Sequence, residues 1–356
     1  MRILHIAPFN TAGVPLTFVK AEREMGHESR LITLGKNPQN REEDVCLALP
    51  FLDCWSVRCV KRILIPKRRR VISYIADIPK EIPPKWKAGS WLERSLVRYR
   101  ERIWKPRIEE AIVEFQLDDF DIYQLDGGLG FYRDGRFIQR LKDRGKQIIC
   151  CYTGSDLRTR GVIPTIDMIS DLNVTVEFDH LQYHPNIQHV PFPLDSSQFK
   201  MSEAYEEGPI RIGHAPTNRA AKGSDIIISV VRKLEKKFPV KLILIENLPY
   251  QKAIEFKRTC HIFIDQIGDL GYGMNSLEAL AMSIPVCSSL APGFSRAYPD
   301  HPFLSINEDN LEKKMILLIE NPILRQTMGK EGREWIQSIH DAKSVVKKIH
   351  LLAGLI

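Results

Sequence analysis

The chain has no apolar run approaching the roughly 18 to 20 residues that a membrane-spanning helix requires. Its longest, around Lys241–Ile245 with its flanks, is interrupted by charge well before that length. Paired C-x-x-C spacing is also missing, so the seven cysteines (Cys46, Cys54, Cys59, Cys150, Cys151, Cys260 and Cys287) do not form the pattern of a zinc site. Their odd number, scatter and mostly apolar surroundings predict core thiols in a reducing compartment. The N-terminus lacks a cleavage-site pattern: Arg2 precedes a short apolar run, Ile3 to Pro8, that reads as a buried first strand. A cytoplasmic protein is the expectation. Low-complexity tracts and residue-level repeats are likewise absent.

What is present is a globular composition, 44% hydrophobic and 27% charged over 356 residues, too long for one ordinary core. Two domains are predicted. The net charge of +7 is concentrated: Ser56 to Arg107 holds 16 Lys and Arg against 4 Asp and Glu, which leaves the rest of the chain at −5. Trp55, Trp86, Trp91 and Trp104 fall in or beside this segment. Basic residues interleaved with tryptophan suit an anionic membrane surface. Nucleic acid would satisfy the same charges but is not the expected partner, and solvated helices packed through their tryptophans would give the same pattern.

The opening reads as strand, loop (Thr11 to Pro15), helix (Leu16 to Met25, closed by Gly26) and strand (His27 to Leu34), the start of a parallel doubly wound sheet. Apolar runs at Asp121–Leu125, Gln147–Tyr152, Asn173–Glu177 and Gln188–Pro191 continue it. A polar, acidic stretch from Asp195 to Gly208 reads as a linker. We therefore place an N-terminal domain at 1–200, with a basic helical insert at 56–107, and a C-terminal domain at 201–356. The second half restarts with Pro209–His214, a loop to Gly223, and a helix capped by Ser224 with Ile227, Val230, Val231 and Leu234 on one face. Val240–Ile245, His261–Asp265 and Ile284–Ser288 supply further strands. Asn321 to Leu352 reads as helical, free to pack on either domain.

The segment Gly271-Tyr-Gly-Met-Asn-Ser-Leu-Glu-Ala-Leu-Ala-Met-Ser-Ile-Pro-Val286 is a glycine-flexible loop running into a helix and then a buried strand. A helix N-terminus aims free N–H groups and a positive dipole end at an anion, which suits a diphosphate. Glu278 stands three residues after Asn275, so a capping box is the local alternative to a ligand role. Between another strand and helix, Gly213-His-Ala-Pro-Thr-Asn-Arg-Ala-Ala-Lys-Gly-Ser224 sets Arg219 and Lys222 beside flexible backbone. There a departing diphosphate would need its growing charge neutralised.

The Gly271–Val286 stretch resembles the C-terminal signature of retaining GT-B glycosyltransferases of family GT4 (glycosyl transferases group 1), E-G-F-G-x-x-x-x-E-A-M-A-x-G-x-P-V. The resemblance implies an α/β fold of two Rossmann-like domains facing a central cleft. It makes Glu278 the ribose ligand, with Gly273, Met274 and Asn275 lining the phosphates. The family's first Glu falls on Leu270, which cannot accept a sugar hydroxyl, leaving neighbouring Asp269 as the donor-sugar candidate and marking a divergent subgroup. Asp265-Gln266 with Gly271, Tyr272 and Gly273 is similar to a subgroup reading D-Q-x-x-x-G-x-Y-G. The loop bearing Lys222 resembles the family's G-R-x-x-x-x-K-G, in which His214 takes the arginine position and Arg219 is displaced along a lengthened loop. Thr11-Ala12-Gly13-Val14 sits where such enzymes carry a donor-facing loop, an ordinary β–α turn being the alternative. Tyr152-Thr-Gly-Ser-Asp-Leu-Arg158 resembles an H-G-S-D-(L/I)-R segment.

From these residues Asp126 and Asp156 are the catalytic candidates and Arg158 an acceptor-side one, while Gly13, His214, Arg219 and Lys222 join Gly273 to Glu278 on the donor side. Asp119-Phe120-Asp121 spells D-x-D, the metal motif of another transferase fold, and reads here as solvated. No metal or other cofactor is expected. The expected partners are a nucleotide-sugar donor and a glycan or lipid-linked saccharide acceptor. A degenerate nucleotide-binding protein and a nucleotide-sugar epimerase of the same fold are the other readings.

Overall fold

In a computed structural model, which describes residues 1–37, 39, 41–52, 81–202, 208–267 and 271–356, the opening apolar run forms β1 (Arg2–Ala7). The helix Val14–Glu24 returns the chain to its parallel neighbour β2 (Glu28–Thr33). β3 (Val45–Cys46), β4 (Ile122–Asp126), β5 (Gln147–Tyr152), β6 (Leu172–Thr175) and β7 (Ile187–His189) complete a sheet ordered β3-β2-β1-β4-β5-β6-β7. Every pairing in it is parallel. Parallel strands covered on both faces need continuous apolar runs, which is why β1, β4 and β5 are buried almost end to end.

A second parallel sheet follows: β8 (Ile210–His214), β9 (Val240–Leu244), β10 (Ile262–Ile264), β11 (Val286–Ser288) and β12 (Leu304–Ser305), ordered β12-β11-β10-β8-β9. Strand order reverses direction at β1/β4 in the first sheet and at β8/β10 in the second. Open α/β sheets bind ligands outside the carboxyl ends of the strands at such points. The loops leaving β8 and β10 carry Lys222 and Gly273.

The chain divides into one compact unit of Met1–Pro193 with Ala342–Ile356 and another of Leu194–Asp341. This differs from the 200/201 division read from the linker's polarity. The stretch after Pro193 is not free: Leu194 N–H donates to His340 O at 2.8 Å, and Asp195 caps the turn Ser196–Gln198. The single helical stretch read over Asn321–Leu352 is two helices, Pro322–Ile339 and Ala342–Leu352, broken where one unit ends. Val345, Val346 and Ile349 of the last helix are buried in the first unit.

The helix Met274–Ala281 is seated on Pro322–Ile339 through glycines. A Cβ on Gly329 would stand 2.1 Å from Ser283 O, and one on Gly332 would meet Leu280 at 2.6 Å. Leu277 and Leu280 are fully buried, each contributing about 1.5–3 kcal/mol. This packing fixes the axis of the helix whose first turn faces the candidate site. Among the described residues no helix is long and apolar enough to cross a membrane. Cys150, Cys151, Cys260 and Cys287 are buried free thiols and Cys46 is half-buried, while Cys54 and Cys59 lie outside the described residues. Burial pushes the Cys150 and Cys260 thiols up to about 12.

Candidate functional site

Asp265, just beyond β10, gathers the site. Its carboxylate accepts from Lys222 Nζ at 3.0 Å through Oδ1, and from Gly273 N–H at 3.0 Å and Ser276 Oγ at 2.7 Å through Oδ2. Lys222 Nζ also donates to Gln266 Oε1 and lies 3.6 Å from where a Cβ on Gly273 would stand. Burial alone would push the Asp265 carboxyl up, but Lys222 and the two further donors outweigh it and hold it below the ordinary carboxylate range. Two sequence segments about 50 residues apart thus meet on one carboxylate. Tyr272, packed against Phe303 at 4.7 Å and against Phe294 and Trp335, pins the loop that delivers Gly273.

Helix Met274–Ala281 begins with Gly273 at its N-cap in extended backbone, so Asn275 lies within the first turn and a capping box from Asn275 is not formed. The N–H of Gly273 is given to Asp265. Those of Met274 and Asn275 have no partner among the described residues, as expected of orphan first-turn donors. Asn275 uses its side chain to bridge the loops: Nδ2 donates to Ala215 O at 2.9 Å, and Oδ1 accepts from Lys257 Nζ at 2.9 Å.

Lys257 was not legible as a site residue. It ends the helix Tyr250–Arg258, is 1% exposed, and pairs with the equally buried Glu278 Oε2 while lying over the Phe263 ring. Arg219 makes a two-pronged pair with Glu246, at 2.8 and 2.7 Å, on the surface. His214 is fully buried, with Nδ1 2.9 Å from Ile264 O and Nε2 2.8 Å from Ser224 Oγ, so both ring nitrogens bind the protein itself rather than open space. Burial lowers its pKa. Ser224 therefore serves His214, and the helix Ser224–Leu234 takes Gly223 as its cap instead. Asp269 and Leu270 lie outside the described residues.

In the first unit Gly13 caps the helix Val14–Glu24 at φ 80°, against Arg41. Asp126 is 3% exposed and fully engaged: Oδ2 lies 3.0 Å from His5 Nδ1, and Oδ1 accepts from Gln124 Nε2 at 2.9 Å. Asp156 closes its own loop, accepting from the N–H groups of Thr153, Gly154 and Leu157 at 2.9, 2.9 and 2.7 Å. Arg158 is bound by Glu177 at 2.8 Å and Asp179 at 2.6 Å. These three candidates, as placed, organise the carboxyl edge of the sheet through protein partners. Asp119 and Asp121 of the D-x-D sequence both hold Arg2, at 2.7 and 2.9 Å. Residues 56–80 of the basic insert lie outside the described residues. Its helix Trp91–Glu114 buries Trp104 and exposes Trp91 and Tyr99.

His5 bridges Asp126 to Glu22, whose Oε2 is 3.0 Å from His5 Nε2 and also accepts from Ser29 Oγ; His350 Nε2 approaches the other Glu22 oxygen at 3.6 Å. Burial would push the imidazole down, but Glu22 and Asp126 outweigh it and raise it to about 10. Burial would likewise raise Glu22, yet His5 and its hydrogen-bond donors bring it to about 2. The His5 contribution is complete below its ordinary 6.5 and lost as pH rises through about 10. That of Glu22 is present above its ordinary 4.5 and lost as pH falls through about 2. His5→Asn should lower the melting temperature at neutral pH and flatten its decline between pH 7 and 10. Superimposable alkaline limbs in variant and parent would refute the assignment.

No family model matches the chain. An uncharacterized glycosyltransferase of Methanocaldococcus jannaschii is 28% identical over 155 residues, 36% of this chain and 44% of that protein, so the match spans under half of the relative's length. Among solved structures, sucrose-phosphate synthase from Thermosynechococcus elongatus aligns with a TM-score of 0.60 at 10% identity, over 99% of this chain and 98% of that one. The fold is GT-B. WaaG, a glycosyltransferase involved in lipopolysaccharide biosynthesis, aligns at 0.52 with 11% identity over 99% of this chain and all of that one. The S. aureus MnaA–UDP co-structure gives 0.52 with 13% identity over 100% and 98%. GT-B accounts for the two parallel sheets and for the switch point at β8/β10. At these identities it fixes architecture and leaves chemistry to the site.

Proposed function

We propose that the chain is a retaining, GT4-type glycosyltransferase that moves a sugar from a nucleotide-diphosphate-sugar to a hydroxyl of a glycan or lipid-linked saccharide, without a metal. The observation that carries this reading is the convergence of Lys222 and the first turn of Met274–Ala281 on buried Asp265. Diphosphate oxygens would accept from the Met274 and Asn275 N–H groups, and Lys222 would neutralise the charge that builds as the glycosidic bond breaks. Glu278, oriented by Lys257, supplies an acceptor for ribose hydroxyls. The partial relative is named a glycosyltransferase, and two full-length fold neighbours are a WaaG glycosyltransferase and a protein solved with UDP, which agrees with this reading. Trp91 and Tyr99, exposed beside Arg94, Arg98 and Arg102, suit an anionic surface that holds a lipid-linked acceptor.

The test is a thermal-shift panel of nucleoside diphosphates, followed by donor turnover with and without a mixed saccharide acceptor. One diphosphate should raise the melting temperature, by an amount that grows with the logarithm of its concentration. Its sugar conjugate should then be consumed. A panel without any shift or turnover overturns the reading, and an epimer formed without acceptor replaces transfer by epimerisation.

A further inference from the structure

The carboxyl edge of the first sheet holds a concentration of positive charge that the transfer reading does not use. Arg133 follows β4, Arg160 follows β5, and Arg100 lies on the helix Trp91–Glu114. The guanidinium of Arg133 stands 5.3 Å from the Trp86 ring centroid, and that of Arg100 stands 4.3 Å from Trp104. Arg133 Nη1 and Arg100 Nε are buried without a hydrogen-bond partner. Arg160 is tethered to Gly161 O at 3.0 Å and to Gly127 O, at the start of the loop leaving β4. The Trp86 backbone N–H donates to Val162 O at 2.8 Å, which anchors the chain that carries the indole.

Among the described residues none of these three arginines is ion-paired. The nearby acids are committed elsewhere. Buried Glu101 gives Oε1 to the Arg133 backbone N–H at 2.6 Å and Oε2 to Arg136 at 3.5 Å, and Glu93 accepts from Gly89 N–H at 2.6 Å. Burial, and then the charges of Arg160 and Arg100, push the Arg133 guanidinium down to about 9. Half-buried guanidinium groups whose nearest acid, Glu101, is hydrogen-bonded elsewhere, and whose buried donors Arg133 Nη1 and Arg100 Nε lack partners, are destabilising in the empty protein. Such cost persists where a ligand relieves it. A planar fork with free N–H groups, backed by two further cations and flanked by an indole, matches an oxyanion that accepts several charge-assisted bonds at once.

We infer that Arg133, with Arg100 and Arg160, forms a binding site for a phosphate-class oxyanion in the first unit, separate from the diphosphate loops of the second. Binding of the anion stands independently of sugar transfer. That the anion belongs to the acceptor, as a soluble phosphate ester or a lipid headgroup, rests on the transfer reading.

The experiment uses the full chain carrying Lys222→Ala, which silences the second unit's loop, and measures inorganic phosphate binding by calorimetry at constant ionic strength. Arg133→Gln should weaken binding about tenfold or more, the scale of a lost charge-assisted contact. It should leave the phosphate-free melting temperature unchanged or raised. Arg133→Lys, which keeps the charge but loses the fork, should fall between. A phosphate affinity that Arg133→Gln does not alter overturns the site. So does the absence of phosphate binding in the parent, or a phosphate-free melting temperature that drops in Gln and is restored by Lys. Sedimentation with phosphatidylglycerol vesicles separates the two sources: binding lost with Arg133→Gln assigns the anion to a lipid headgroup, and binding retained assigns it to a soluble ester.

Discussion

Lys222→Ala should lower kcat at saturating donor by about 10²–10³-fold, the usual loss when one electrostatic contact to the departing group is removed. Two effects add. The ammonium that the proposed transfer sets against the leaving diphosphate disappears, and Asp265 would be left buried beside an incoming anion with only Gly273 N–H and Ser276 Oγ to hold it. The second effect predicts that Lys222→Ala/Asp265→Asn binds nucleoside diphosphate more tightly than Lys222→Ala while remaining slow. Lys222→Arg should not rescue turnover, because the ammonium lies 3.6 Å from where a Cβ on Gly273 would stand and is held by Asp265 and Gln266, and a guanidinium fork is wider. Steady-state kinetics with the donor identified by thermal shift provide the check. An unchanged kcat with a raised KM would confine Lys222 to ground-state binding and remove it from catalysis.

Lys257→Met should destabilise the protein by about 3–5 kcal/mol, because it strands the Glu278 carboxylate in a site where both partners are about 97–99% covered. Lys257→Met/Glu278→Leu should recover most of that loss, since a well-packed apolar pair replaces a buried ion pair at little net cost. Chemical denaturation of the four proteins in the cycle measures it. The double variant also separates two roles of Glu278. If the carboxylate serves the ribose, nucleoside diphosphate binding is lost although the fold is restored. Binding that survives within twofold would make Glu278 the counter-ion of Lys257 and nothing more.

The alternation of strand and helix was legible because parallel strands buried on both faces leave apolar runs, as in β5 and β10. The edge strands β3 and β12, two residues each, carry too few side chains for any periodicity to register. The break at His340–Asp341 has no proline or glycine to announce it. In the candidate site, the placing of Lys222 and of Gly273 to Glu278 where a loop runs into a helix was legible because a β–loop–α unit is local in sequence. Their partners were not. Asp265 meets Lys222 across 43 residues, Lys257 meets Glu278 across 21, and Glu246 meets Arg219 across 27. Such pairings depend on which strands become neighbours, information absent from any local window. The same reason explains His214 and Asp126: a polar residue at the carboxyl end of a strand looks alike in sequence whether it faces a ligand or a buried partner such as Ser224 or His5.

The return of Ala342–Ile356 to the first unit sets an order of events during synthesis. Leu194–Asp341 is an uninterrupted stretch whose contacts can all form once residue 341 has emerged. The first unit cannot be completed until the helix Ala342–Leu352 brings Val345, Val346 and His350 against residues made more than 300 positions earlier. A nascent chain exposed only as far as residue 341 would therefore carry every residue of the second unit and an unfinished first unit whose Glu22 still lacks His350. Contacts of such long sequence separation form slowly. The later-made half of the molecule is thus the one equipped to fold first.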